Sequence, residues 1–416
     1  MTNPSNTNNT PISDRLEQGK DRKKIFQELF VLANKPDATT DKPALLYKGV
    51  QTSPYQQDIN NYPVRLKNQQ NPQKLVFTPY PKVGEMPQIS RQGLEFLHPD
   101  IKEACICIGR SVNSQLKANW LGRNALNKNQ FWSGTKIIPL LNIVSQLNSK
   151  FPLADLDTCV IRDRETRQKE VAFFDAANDI VSYQHLKASS NSLAAMCKRF
   201  ETWEGLELWT KKITGNQDLI FRGRYGELPY INQPELIDVK TKKVLLKAAR
   251  ETTRGDNLVT AYDLVRFISM LGWHHYLSPQ SRLPGAQWHS LETIIRAMGS
   301  DPCRYIDVAI QALGLEKVVF SPTIISKLGN GFSDSRQSSE IVYVALLHFL
   351  DERPKANNNP PVLRSISIAL RGAKPLRETN PDKVEEAKKR DAIELDARMA
   401  AEVTEILRRV VTEELV

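Results

Sequence analysis

No stretch of this chain is long and apolar enough to span a bilayer. The first twenty residues, Met1 to Lys20, are polar and hold no apolar core of the kind an export signal needs. The nearest apolar run, Ile25 to Ala33, is short and broken by Gln27 and Glu28. Cysteine is scarce: Cys105, Cys107, Cys159, Cys197 and Cys303 are odd in number and lack C-x-x-C spacing. Neither a disulfide framework nor a cysteine zinc site is indicated. Reduced, buried thiols in a reducing compartment are expected, and the expected location is the cytoplasm. Basic runs are missing too. A formal net charge of +10 admits an acidic partner, but lysine and arginine are spread along the chain, so nucleic acid is not the expected partner. No cofactor and no metal is called for by any motif.

What remains is an ordinary globular composition, 40% hydrophobic and 25% charged over 416 residues, enough for a sizeable core. Residues 1–12 are rich in Asn, Thr, Ser and Pro and are expected to be disordered. Residues 13–34 suit one charged helix, and from Pro36 to about Gly93 the chain is a Pro-, Gln- and Asn-rich arm, giving an N-terminal unit over 13–95. Ala104 to Gly109 and Leu116 to Leu121 read as a strand hairpin. Ile137 to Leu147 reads as a helix, with Pro139 near its start where proline is tolerated. Helical patterns then dominate to about Leu315, including Ser192–Phe200, Thr260–Leu271 and Leu291–Met298. Val318–Phe320 with Thr323–Ser326, and Ile341 to Phe349, read as strands, and Leu363 to Leu370 as a short helix packed on them. The expected fold is α/β: an antiparallel sheet flanked by helices, split in sequence by an inserted all-helical subdomain, over 96–371. The tail, 372–416, reads as a charged amphipathic helix after Pro381, with Ile393, Ala400, Val403, Leu407 and Val410 at helical spacing. It can lie on its own domain, self-associate or dock a partner.

Three short motifs follow one another. They are Ser133-Gly134-Thr135-Lys136, Ser189-Ser190-Asn191 and Lys327-Leu328-Gly329. Each is weak alone: Ser114 to Lys117 repeats the first spacing and Lys82-Val83-Gly84 the third. Taken alone, Ser133 is a helix N-cap and Ser189 and Asn191 are loop or cap residues. Context separates them from the decoys. Ser133 opens a helix-length apolar run, and the K-x-G ends a strand-like segment. A serine hydroxyl needs a base to become a nucleophile. Residues three apart on a helix share a face, which brings Lys136 within reach of Ser133. A lysine serves as base only when burial or a second cation lowers its pKa, and Lys327 supplies that cation.

In this order and context the motifs resemble those of the β-lactamase and penicillin-binding serine hydrolase family. The resemblance covers about 96–371. It implies a β-lactamase/transpeptidase-like fold and an acyl-enzyme on Ser133, made from an amide or ester of a small molecule or peptide. Lys136 is then the base, Ser189 a proton relay and Lys327 the second amine. Asn191 and Gly329 bind substrate, and the backbone N–H groups of Ser133 and Asn330 form the oxyanion hole. Leu328 stands where the family usually has Thr or Ser, so Arg336 is the expected carboxylate anchor. No deacylating E-x-x-L-N segment is present, although Glu227 and Glu235 fall in that region. A binding or scaffold protein without turnover and a glutaminase-like amidase therefore stand beside the hydrolase. His274 and His275 are adjacent on a helix and point different ways, so they are expected to pack rather than to bind metal.

Overall fold

The computed structural model describes residues 11–38, 40–48, 53–55, 77–112, 115–354 and 358–415. Most of the segment expected to be disordered, residues 1–10, lies outside them, as do 56–76 of the arm and the decoy Ser114.

Two helices form where one was expected: α1 (Ile12–Gln18) and α2 (Arg22–Ala33). The break follows Gly19, and Asp21 restarts the chain by accepting the Lys24 N–H at 3.1 Å. An aspartate N-cap satisfies a donor that a continuous helix would not leave free. Two-residue β1 (Thr78–Pro79) then lines the outer edge of a hairpin of β2 (Ile101–Val112) and β3 (Gln115–Arg123), with Cys107 opposite Trp120.

A 3-10 turn, Trp132–Lys136, runs straight into α3 (Ile137–Lys150). Most of α3 is apolar and buried, which suits a helix covered on nearly all sides. The inserted region is mostly helical but also carries a small sheet. In chain order it contains β4 (Cys159–Asp163), β5 (Glu170–Ala172), α4 (Phe173–Ser182), α5 (Ser190–Lys198), α6 (Trp203–Thr214), β6 (Ile220–Phe221), β7 (Pro234–Asp238), β8 (Val244–Lys247), β9 (Asn257–Leu258), α7 (Ala261–Gly272) and α8 (Trp288–Met298). Four of its strands pair in the order β5-β4-β7-β8. A capping box on Thr260 and Asp263 starts α7.

After α9 (Tyr305–Ala312) the chain makes three long strands, β10 (Val319–Ser333), β11 (Ser338–Asp351) and β12 (Val362–Pro375). The short helix expected over Leu363–Leu370 is therefore part of a strand, and that strand runs past the expected boundary at 371. Its Ile366-Ser367-Ile368 stretch alternates with period two. The neighbours β2 and β11 take up its backbone groups on both sides. The main sheet has the order β1-β3-β2-β12-β11-β10, each pairing antiparallel, with β10 at the free edge.

Each face of this sheet carries its own core. Ile325, Val342, Val344, Leu346 and Ala369 pack with the inserted region, and α7 lies across β2, β11 and β12. Ile324, Leu328, Tyr343, Ala345, Leu347, Ile366 and Ile368 pack with α2, α9 and the last helix, α10 (Val384–Val411). Pro381 sits in a 3-10 turn just ahead of α10. Ala400, Val403, Leu407 and Val410 are buried in the chain's own second core, so the apolar stripe of the tail closes its own sheet. Helices on both faces of one sheet give three layers.

Candidate active site

Ser133 lies in the 3-10 turn that precedes α3, not in the α-helix itself. In a 3-10 turn residues i and i+3 eclipse, so Lys136 still stands over the same side as Ser133. Trp132, just before the serine, takes φ +41°, a left-handed backbone rare outside glycine. Its contacts hold it there. The indole Nε1–H donates to the Glu340 carboxylate at 2.8 Å, and the ring lies on Gly331, where a Cβ would come within 2.7 Å of it. Gly329 does the same for the turn's backbone: a Cβ there would sit 2.8 Å from Ser133 N and 3.1 Å from Gly134 N. Gly329 was expected to clear space for substrate. Its bare Cα is used instead to bring β10 against Ser133.

Lys136 is 1% exposed. Its Nζ donates to Ser190 Oγ at 2.8 Å and to Asn191 Oδ1 at 2.6 Å. Burial, with the Lys327 charge adding to it, holds its pKa well below the ordinary lysine value. Asn191 thus meets Lys136, where substrate amide binding was expected of it. Of the two serines in the second motif, Ser190 touches Lys136, and its own hydroxyl donates a hydrogen bond to the Ile180 carbonyl at 2.8 Å. Ser189 is the N-cap of α5: its Oγ accepts the Ser192 N–H at 3.1 Å and donates to Glu227. The relay expected of Ser189 therefore has no contact with Lys136 behind it, while Ser190 has one. The doubled serine hid this, since only the three-residue spacing was legible.

Lys327 is fully buried on β10. Its Nζ donates to the Leu328 carbonyl at 3.0 Å and lies 3.7 Å from the centre of the Tyr183 ring. Burial brings its pKa down to about 7, against the pull of the Asp301 carboxylate. Burial also lifts Asp301 itself, to about 6. Asp301 accepts from Ser326 Oγ at 2.5 Å and from the Leu328 N–H at 3.3 Å. The Leu328 N–H and C=O thus both face the free edge of β10. Strand residues alternate in this direction, so Asn330, two residues on, turns its N–H to the same edge. The Leu328 side chain is buried in the second core.

Arg336, the expected carboxylate anchor, is already engaged. Its Nε and Nη2 donate to Glu340 at 2.6 and 3.0 Å, and Nη2 reaches Gln130 at 3.2 Å. Burial alone would raise the Glu340 carboxyl. Hydrogen bonds from Arg336 and Trp132 and the Arg371 charge overcome that and hold it at about 2. Arg371 bridges Glu340 to Glu103 at 2.7 and 2.6 Å. A depression of about 1000 Å³, lined by Arg22, Arg123, Arg336 and Arg371, opens beside this network. Its arginines are spent on Glu402, Glu340, Glu103 and backbone carbonyls, and none of the motif residues lines it.

Two residues of the site carried no sequence signal. Tyr183 caps α4 and bonds the Leu328 carbonyl through its OH at 2.7 Å. Tyr225 places its ring 5.5 Å from Lys136 Nζ. Tyrosines at a helix end or in a loop stand out from sequence only if something marks the cleft they enter. His274 and His275 pack around Trp288, with ring centres 6.2 and 4.2 Å from it.

No family model and no curated protein matches this chain. Among solved structures it is similar to a β-lactamase from Streptosporangium roseum, at 12% identity over 73% of this chain and 96% of that one, with a TM-score of 0.37. It is also similar to a peptidoglycan synthetase from Bifidobacterium adolescentis, at 10% identity over 77% of this chain and 58% of that one, with a TM-score of 0.31.

Proposed function

We propose that the protein is a serine hydrolase that forms an acyl-enzyme on Ser133. The observation that supports this most is Lys136: a buried amine with a depressed pKa, fastened by Ser190 and Asn191, one 3-10 turn from a serine hydroxyl. Lowering an amine's pKa favours the neutral form that can take a hydroxyl proton. Ser133 Oγ attacks the carbonyl carbon of an ester or amide, and its proton passes to Lys136 Nζ. The tetrahedral oxyanion meets the N–H groups of Ser133 and Asn330. As the carbon–leaving group bond breaks, the leaving group takes the proton back from Lys136. Water then cleaves the ester on Ser133 with Lys136 again as base. Burial, with the Lys327 charge adding to it, favours the neutral form of Lys136. No step calls for a cofactor.

The test is covalent labelling. A fluorophosphonate should add to the parent protein at Ser133, read as a mass increase on the peptide that carries it. Ser133→Ala should not label, with its circular dichroism unchanged. Equal labelling of the variant ends the proposal.

One observation favours a second reading, a non-catalytic binding or scaffold protein: the Tyr183 ring lies 3.7 Å from Lys327 Nζ and 5.8 Å from Lys136 Nζ, against both amines of the site. A panel of chromogenic esters and amides, with ammonia release from glutamine included for an amidase, separates turnover from binding.

A further inference from the structure

Tyr183 and His185 both take left-handed backbone angles, φ 56° and 57°. Non-glycine residues held there need contacts that offset the cost. The polar contacts of Tyr183 all lie in the candidate site. Its ring is 3.7 Å from Lys327 Nζ and 5.8 Å from Lys136 Nζ. Its OH donates to the Leu328 carbonyl on the free edge of β10 at 2.7 Å. Beyond it the segment is exposed, with Leu186 at 72%. It is tied back at Gln184, whose N–H reaches Ser182 Oγ at 3.3 Å, and at Lys187, whose N–H reaches Asp179 at 2.6 Å and whose Nζ reaches Asp175 at 3.5 Å.

The ring thus lies beside both amines, and the phenol occupies the edge of the strand that Gly329 brings against Ser133.

We propose that Tyr183 is the gate of this site: it must swing out on the 183–187 segment before an acyl donor reaches Ser133, and the donor then takes the edge of β10 that the phenol holds. The identity of the incoming molecule rests on the acyl-enzyme reading; the gate itself does not, and the experiment separates the two.

All five native cysteines are buried. A thiol introduced by Ser133→Cys therefore reports access to position 133 without any catalysis. Its alkylation by iodoacetamide is followed on the alkaline plateau, so that thiol ionisation drops out. Adding Tyr183→Ala should speed alkylation about tenfold or more. Tyr183→Phe keeps the ring, loses the bond to the Leu328 carbonyl and should fall between; it also answers the question should the alanine variant not fold. Rates within twofold of the Ser133→Cys parent in each variant overturn the gate. In the Ser133 background, Tyr183→Ala should label faster with fluorophosphonate. Faster alkylation with no labelling in any background keeps the gate and removes the acyl-enzyme reading.

Discussion

Lys136 and Lys327 are both buried, and the second depresses the pKa of the first. Removing Lys327 should therefore raise the pKa of Lys136. In Lys327→Met the acid limb of the labelling rate should move to higher pH, while the plateau at high pH is largely kept. A rate profile measured from roughly pH 5 to 9 checks this. An unshifted limb would mean that Lys327 does not tune the base. The same variant has a stability signature of defined sign. Lys327 falls from 10.5 to about 7 on folding, so between these values the unfolded chain binds the extra proton. Its burial penalty is fully present below about 7 and fades as pH rises toward 10.5. Lys327→Met should melt higher than the parent at pH 6 to 7 (roughly the range where the penalty is complete), and the gap should narrow as pH is raised. Asp301, already lifted to about 6, then takes up a proton in place of its lost partner. Both lysines and Ser133 were legible in the sequence because three motifs recur in a fixed order. Ser190 was not, since two adjacent serines fit one spacing. Tyr183 was not, since nothing local distinguishes a helix-end tyrosine that enters a cleft from one that covers a core.

The element that carries Ser133 is a short turn laid against two paired strands. Gly134 has Val342 of β11 at 3.0 Å from where its Cβ would be, and Gly329, the partner of Val342 on β10, lies against Ser133 N. Trp132 is the pin, and Glu340 holds the pin through the indole N–H. Trp132→Phe keeps the ring on Gly331 and loses that bond, at a cost of about 1 kcal/mol. Glu340→Gln also leaves Arg336 and Arg371 without their shared charge, and breaking a buried pair costs about 3–5 kcal/mol. If the clamp positions the serine, both variants should lower the maximal labelling rate and leave the half-saturating probe concentration unchanged, with Trp132→Phe the milder. A change in half-saturation alone would instead place the network in probe binding. The strands on which this clamp depends were legible unevenly. β10 and β11 show as apolar runs, and β2 and β3 as two runs with a polar link. β12 was taken for a helix because its eight-residue core has the length of either element. Its period-two alternation is blunted by Leu363, Ala369 and Leu370, which a strand buried on both faces can afford to keep. The small sheet of β4, β5, β7 and β8 was missed for another reason: each strand is five residues or fewer, too short for a period to show.

The N-terminal helices and the C-terminal helix close the sheet face opposite Ser133, far apart in sequence and joined by buried polar pairs. Arg22 of α2 meets Glu402 of α10, and Glu402 also takes the His98 N–H at 3.0 Å. Asp396, fully buried on α10, accepts from Tyr305 OH at 2.5 Å and from the Leu46 N–H at 3.1 Å. A charged tail with an apolar stripe reads the same from sequence whether the stripe meets its own sheet or another chain, because only the folded sheet supplies the face it covers. Asp396 decides how much this closure is worth. Asp396→Ala leaves two buried donors without acceptors, each costing about 1–3 kcal/mol. The urea midpoint should fall accordingly with the slope of the transition kept, since the same surface is exposed on unfolding. Burial raises the Asp396 pKa well above 3.8, so the folded state binds the extra proton. This group therefore favours folding most at low pH and loses that advantage as pH rises from 3.8 toward its folded value. The destabilisation in Asp396→Ala should accordingly be larger in acid than in alkali. At permissive temperature the variant should still label at Ser133, because the site lies across the sheet. Loss of labelling in folded Asp396→Ala protein would show that the two faces act as one unit rather than as a catalytic face resting on a structural one.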